Sequence, residues 1–279
     1  MSFPGYGDKH DEESYITPLD YLEWRRRRGD LDGFVCPERV VILYDPFLYG
    51  SLSGAADVST AGGRAMAGLH VLGRTAGRVG VLGGFGYGAP IAAQRLENLI
   101  ALGAKVFISL GAAGSLQPDL GVGELVLCTG AVRDEGVSHH YLPIQTPVGP
   151  DRRLTEAFGE ALADRDPLRS GMTWTIDAPY RETVAEVGHY RAKGVLTVEM
   201  EAAALFAVAA VRGVPIASAF CISDLLGSVT WEPCFDAPEL RSGLAALADA
   251  AIEVLATFPS QQATSDAADG ALGDGGSRP

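Results

Sequence analysis

Two glutamates bracket a methionine in the stretch VEMEAAA, so that Glu199, Met200 and Glu201 lie between the apolar segments KGVLT and LFAVAAVRGVPIASAFCI. Ionised carboxylates are costly to desolvate. A pair of them in a run fit for burial must reach water at an element end or hold a polar partner. About twenty residues on, Ser223 and Asp224 follow another apolar run at a strand-end position; taken locally they read as a helix cap before LLGSV. The glycine-rich stretches GGFGYGAP (83–90) and GAAGSLQPDLGVG (111–123) are, by themselves, only turn signals.

The elements that must position these residues alternate along the chain. DYLEWRRRRG reads as a helix ending at Gly29, RVVILYD as a strand, and GRVGVLGGFGYGAP as a strand running into a glycine loop. Pro90 suits the first residue of a helix, PIAAQRLENLIALG, that stops at Gly103. KVFISL, ELVLCTGAV, GMTWTI, VLTVE and PIASAFCIS read as strands. RRLTEAFGEALAD, RETVAEVGHYRAKG, MEAAALFAVAAVRG and a segment near 239–258 read as helices. Continuous apolar strands between helices imply a single-domain α/β fold with a mainly parallel or mixed central sheet flanked by helices on both faces. Ligands collect at the carboxyl ends of strands in such sheets. Glu199 ends a strand and Glu201 starts a helix, so both can face one crevice while the alanines pack.

A chain of 279 residues, 47% hydrophobic, can bury a full core. The formal charge of −13 argues against nucleic-acid or anionic-membrane binding. No apolar run approaches a membrane span, and the acidic start is unlike a signal peptide, so a cytoplasmic protein is expected. Cys36, Cys128, Cys221 and Cys234 are scattered without a CxxC spacing, which suits reduced thiols rather than zinc ligands. Residues 1–14 and 260–279 have disorder-type composition. The catalytic domain is expected over 15–259, with no internal repeat.

Four stretches, GGFGYGAP, GAAGSLQPDLGVGELVL, AVRDEGVSHHYLP and VEMEAAALF…CISDLL, occur in the order and spacing of the nucleoside phosphorylase family. The likeness is to the branch that holds the hexameric purine nucleoside and uridine phosphorylases and their nucleosidase relatives. It covers roughly residues 39–258, and WTIDAPYRET also resembles this branch. It implies the cleavage of a ribose C1′–base bond through an oxocarbenium-like transition state. By resemblance Glu201 holds the 2′- and 3′-hydroxyls, as a carboxylate can. Met200 packs on the sugar, Glu199 supports the grip, and Ala112 and Gly114 lie beside the substrate. In purine-specific relatives the aspartate at the Asp224 position protonates the leaving base at N7, with Ser223 orienting it. The Gln and Arg of uridine-specific members have no clear match here, which favours a purine-type or modified base. Tyr141 is the expected stacking partner of the base, whereas His139 and His140 read as structural or interfacial.

The resemblance breaks down at the phosphate site. Relatives carry Gly-Asp-Pro and then arginine after the first strand; here Tyr44 replaces the glycine and Leu48 the arginine. After the third strand, Ser109 and Ala112 stand where Arg and Ser/Thr are usual. Hydrogen bonds to charged groups contribute about 1.5–3 kcal/mol each, so losing two weakens phosphate binding by roughly two to four orders of magnitude. The remaining candidates are backbone N–H groups at Gly86, Gly88, Gly111 and Gly114, together with Arg64. Nucleosidase relatives place a glutamate where Leu48 stands, so their water-activating base is missing too.

The expected activity is therefore that of a nucleoside phosphorylase, a pentosyltransferase giving free base and ribose 1-phosphate. The alternatives are a phosphate-independent nucleosidase and a catalytically reduced nucleoside-binding protein. Phosphate is the expected co-substrate, with no cofactor and no metal. A homo-oligomer, either a dimer or a trimer of dimers, is implied by the resemblance.

Overall fold

The computed structural model describes residues 5, 6, 9–61, 66–164, 168–227 and 230–259. Its sheet is built on β1 (Arg39–Leu43), β4 (Val79–Leu82), β5 (Val106–Ser115) and β9 (Ile216–Leu225), where β1 pairs in parallel with β4 and β5, and β5 with β9. From β9 the sheet turns through β6 (Leu125–Asp134), β7 (Leu168–Ile176) and β8 (Thr197–Glu199), and β8 pairs antiparallel with β5. These five strands therefore close on themselves as a small barrel. β3 (Leu69–Leu72) and β2 (Val58–Thr60) extend the sheet beyond β4, and β10 (Glu232–Pro233) pairs with the end of β9. The mixed sheet follows from the strand sequences. Along β1, Val41 and Leu43 enter one core and Val40 and Ile42 the other, so the strand has to be apolar throughout.

One core lies under α2 (Pro46–Ser53), α5 (Arg152–Ala161) and α8 (Pro238–Thr257). The other lies under α3 (Ala89–Ala101) and α7 (Ala202–Arg212), with α1 (Pro18–Arg27) and the short α4 (Ser138–Tyr141) outside them. From Ala202 to Ala209, α7 is buried all round. Its alanines let it approach the sheet closely, which sets its first turn at the strand ends. α6 (Val184–Ala192) packs near Trp174 through Val187 and Tyr190.

Two expectations need correction. Residues 111–115 do not begin a loop: β5 runs through Gly111–Ser115, because β9 on one edge and β8 on the other pair with that backbone. Asp224 caps no helix, since β9 continues to Leu225 by pairing with β5 and β10. In the segment expected to lack structure, Lys9–Asp11 form a 3-10 turn, with Lys9 Nζ 2.8 Å from His140 Nδ1 and His10 Nε2 3.0 Å from the His139 carbonyl. Residues 260–279 lie outside the described residues. No helix among the described residues is long and apolar enough to cross a membrane. All four cysteines are free thiols.

Candidate functional site

The carboxyl ends of β1, β5, β8 and β9 open into a cavity of about 630 Å³, a volume suited to a small-molecule ligand. Glu199, Met200, Glu201, Ser223, Asp224, Gly111, Ala112 and Gly114 all line it. Closure of the barrel brings them together: Gly114 of β5 pairs with Val198 on one side and Asp224 on the other. A Cβ at Gly114 would lie 2.5 Å from Leu226 Cδ1 and 3.1 Å from Asp224 Oδ2. Glycine is required there so that the carboxylate can cross the strand.

The two glutamates have different surroundings. Glu199 Oε1 accepts from the Thr175 hydroxyl at 2.5 Å, and Oε2 accepts from the N–H groups of Glu201 and Ala202, both at 2.8 Å. It thereby serves the exposed donors at the start of α7, where a negative charge is also favoured by the helix dipole. Glu201 Oε1 accepts from Gly88 N–H at 2.5 Å. Burial raises the pKa of both acids above the ordinary carboxylate range, and the charge of Glu199 pushes Glu201 higher still. Gly88 is the N-cap of α3 with φ of 106°, a conformation open to glycine, and this turns its N–H toward Glu201.

Asp224 is held on both oxygens. Ser223 Oγ lies 2.7 Å from Oδ1, and Trp231 Nε1–H donates to Oδ2 at 2.8 Å. Nearby Glu182, directly after the 3-10 turn Pro179–Arg181, also faces the cavity. Burial raises its pKa to about 7, with the charges of Asp224 and Glu186 adding to the effect. The rim is aromatic: Tyr87, Tyr180, Trp231 and Phe235 all line the cavity yet expose more than half of their surface, Tyr180 reaching 99%. Tyr44 lies deeper, edge-on to Phe85, and its hydroxyl accepts from Ser109 Oγ at 3.3 Å. Burial and the charges of Glu201 and Glu199 push the phenol pKa well above its ordinary value.

Several sequence expectations fall elsewhere. Tyr141 does not reach the cavity: its hydroxyl donates to Glu97 Oε1 at 3.0 Å, and Glu97 is also bound by Arg212. That buried acid is a stronger partner for the phenol than a solvent-facing base would be, so the stacking role is withdrawn. Gly86 and Gly88 do not line the cavity, whereas Tyr87 between them does. Arg64 lies outside the described residues. Asp45 lines the cavity, but its Oδ1 accepts from Leu48 N–H at 2.7 Å as the N-cap of α2. Arg133 donates to Ser138 Oγ and to the carbonyls of Pro143, Thr146 and Leu142, fastening the loop beyond β6. His139 Nε2 lies 3.2 Å from the Arg133 carbonyl. Among the described residues no cluster of His, Cys, Asp and Glu could hold a metal ion.

Sequence reasoning missed Glu182, Tyr180 and Trp231. APYRET follows a strand end, where ligands gather, and that position was the available signal for Tyr180 and Glu182. Nothing local marks Trp231, which reaches Asp224 only because β10 folds back along β9.

Known proteins resemble this chain in sequence and in fold. Over 140 residues, 50% of this chain and 58% of the relative, the sequence is 37% identical to guanosine phosphorylase of Halorubrum lacusprofundi. Over 141 residues, 46% of this chain and 55% of the relative, it is 36% identical to uridine phosphorylase of Treponema pallidum. The chain thus spans little more than half the length of these curated relatives. The crystal structure of uridine phosphorylase from Vibrio fischeri ES114 superposes with a TM-score of 0.68 at 25% identity, covering 81% of this chain and 94% of that one. The sequence model of the phosphorylase superfamily matches residues 38–253, and the chain belongs to that superfamily.

Proposed function

We propose that this protein is a nucleoside phosphorylase, a pentosyltransferase that cleaves the N-glycosidic bond of a purine-type or modified nucleoside and passes the ribosyl group to phosphate. The observation that carries the reading is the contrast between the two buried glutamates. Glu199 spends its oxygens on three protein donors, whereas Glu201 lies in the cavity wall with Gly88 N–H on one oxygen. A carboxylate has about four acceptor sites, so Glu201 can take both hydroxyls of a ribose diol. Burial and the charge of Glu199 raise the pKa of free Glu201, and hydrogen bonds from a diol would favour its charged form. As the C1′–N bond breaks, positive charge grows on the sugar, and the negative Glu201 is held where it stabilises that charge. Met200 lies beside it for the sugar face, and Ser223 and Asp224 mark the base end.

The phosphate end rests on Tyr44, Ser109, Gly111 and Ala112. The proposal includes a cytoplasmic homo-oligomer, a dimer or trimer of dimers, whose neighbouring copy completes this end; light scattering in solution tests it. A second reading, hydrolysis by water, has its own support. Among the described residues, the cavity is lined by Asp45, Glu182, Glu199, Glu201 and Asp224 and by no Lys, Arg or His, a poor field for a phosphate dianion. Incubation with guanosine, inosine, adenosine and uridine, with and without phosphate, separates the readings. Base release that needs phosphate and yields ribose 1-phosphate supports phosphorolysis. Release without phosphate replaces it with hydrolysis, and binding without release would end both.

A further inference from the structure

We propose that Glu182, not Asp224, hands the proton to the departing base. The inference rests on the N-glycosidic cleavage proposed above and assigns a residue that the sequence reading passed over. Both oxygens of Asp224 are already engaged inside the protein, one by the Ser223 hydroxyl and the other by the Trp231 indole N–H. The indole can only donate, so Oδ2 is held as an acceptor, and while both bonds stand the remaining lone pairs of Asp224 can accept hydrogen bonds but carry no proton to give. Glu182 lines the same cavity close enough to feel the charge of Asp224, and among the described residues its carboxyl has no side-chain hydrogen-bond partner.

The local backbone supports this placement. Pro179 opens a single 3-10 turn directly after β7, and Glu182 N–H donates to the Pro179 carbonyl at 3.4 Å, closing the turn. The next residue, Thr183, caps α6 in a reciprocal pair with Glu186. Glu182 is thus pinned between a turn and a capped helix rather than carried on a free loop. The charges that act on it among the described residues are those of Asp224 from β9 and Glu186 from α6, with Arg181 preceding it in the chain and Glu199 and Glu201 lining the same cavity. Burial, with the charges of Asp224 and Glu186, raises its pKa to about 7, which suits an acid that must donate near neutrality.

The chemistry balances. The C1′–N bond breaks with its electron pair going to the base, and the Glu182 proton moves to the base atom that collects the charge. A phosphate oxygen forms the new bond to C1′. Hydrogen phosphate loses a proton on becoming the sugar ester, and that proton restores Glu182. Asp224 is then a positioning residue, fixing Trp231 at the cavity wall and holding the field that favours protonated Glu182.

The test compares nucleosides that differ in their need for a proton. Guanosine requires one at its leaving base. 7-Methylguanosine, already cationic on the base, releases a neutral base without one; uridine and 5-fluorouridine form the equivalent pair if the enzyme prefers pyrimidines. For Glu182→Gln, kcat on guanosine is expected to fall about 100-fold or more, while kcat on 7-methylguanosine stays within a factor of five. The fall of wild-type kcat above about pH 7 should vanish in the variant. Glu182→Asp should recover part of the guanosine rate, and Asp224→Asn should shift the alkaline limb without abolishing it. Equal losses on both nucleosides, or full activity of Glu182→Gln on guanosine, would overturn the assignment while leaving the cleavage reading intact. A wild-type protein that cleaves none of these nucleosides would remove both. Thermal melting of each variant shows whether a lost rate reflects lost fold.

Discussion

Replacing Glu201 by glutamine should make the protein more stable and less active at the same time. Glu201 is 8% exposed, and burial together with the charge of Glu199 raises its pKa above the ordinary value of 4.5. An acid whose folded pKa is raised binds more protons in the folded than in the unfolded state between the two values. Its contribution is therefore most favourable below about pH 4.5 and is lost progressively as pH rises toward the folded pKa. Above that point the penalty is complete. Each tenfold displacement of the proton equilibrium is about 1.4 kcal/mol. Glutamine keeps an oxygen for Gly88 N–H but adds an NH2 donor that needs a partner, so the net gain at pH 8 is expected to be about 1–3 kcal/mol. For a chain of this size that raises Tm by about 2–5 °C. The difference from wild type should shrink as pH falls toward 5. The diol meanwhile exchanges two charge-assisted hydrogen bonds for neutral ones, losing about 2–3 kcal/mol in all. That is roughly a 30- to 150-fold drop in kcat/KM. Paired measurements at pH 5 to 8, by differential scanning calorimetry and by base release, read both effects. A variant that melts no higher than wild type at pH 8 would refute the electrostatic argument, and one that keeps kcat/KM within threefold would refute the diol grip.

Other substitutions probe the frame around that grip. Gly114→Ala places a methyl 3.1 Å from Asp224 Oδ2 and 2.5 Å from Leu226 Cδ1. It should cost about 1–3 kcal/mol of stability and raise KM for the nucleoside; unchanged KM in a urea-stable variant would count against Asp224 as the base end. Arg133→Met removes donors to three carbonyls and the Ser138 hydroxyl. Denaturant melts should show a loss of about 2–4 kcal/mol with kcat nearly unaltered, and a collapsed kcat in folded protein would give Arg133 a direct role. Tyr44→Phe deletes the hydroxyl that meets Ser109. KM for phosphate should rise about 3- to 10-fold, as for loss of one hydrogen bond, with KM for the nucleoside steady; the opposite pattern would move Tyr44 to the sugar end.

The mixed α/β architecture was legible because its strands are long apolar runs and its helices carry their own stops, as at Gly103 after α3. Glu199, Met200 and Glu201 were legible for the same reason: acids stand out where everything else is fit for burial. Tyr141 misled because an aromatic after a strand carries no sign of which side it will face, and Glu97, which claims it, lies 44 residues away. Glu182 and Trp231 could not be ranked from their neighbours, since their significance comes from meeting Asp224 across separate segments.

By itself, then, the sequence determined which residues could not be ordinary core and where the long apolar strands and the well-punctuated helices would form, because burial and periodicity act locally; the short elements α2, α4, β2, β3 and β10 escaped it. Tertiary structure alone decided which of the two cavity-lining acids is saturated by protein donors and which keeps acceptor sites open. That choice depends on the barrel closing β5 onto β8 and β9 and on α3 delivering Gly88 N–H to Glu201. Hydrogen-bond partners and local charge belong to residues far apart in the chain, and no window of sequence contains both halves of such a pair.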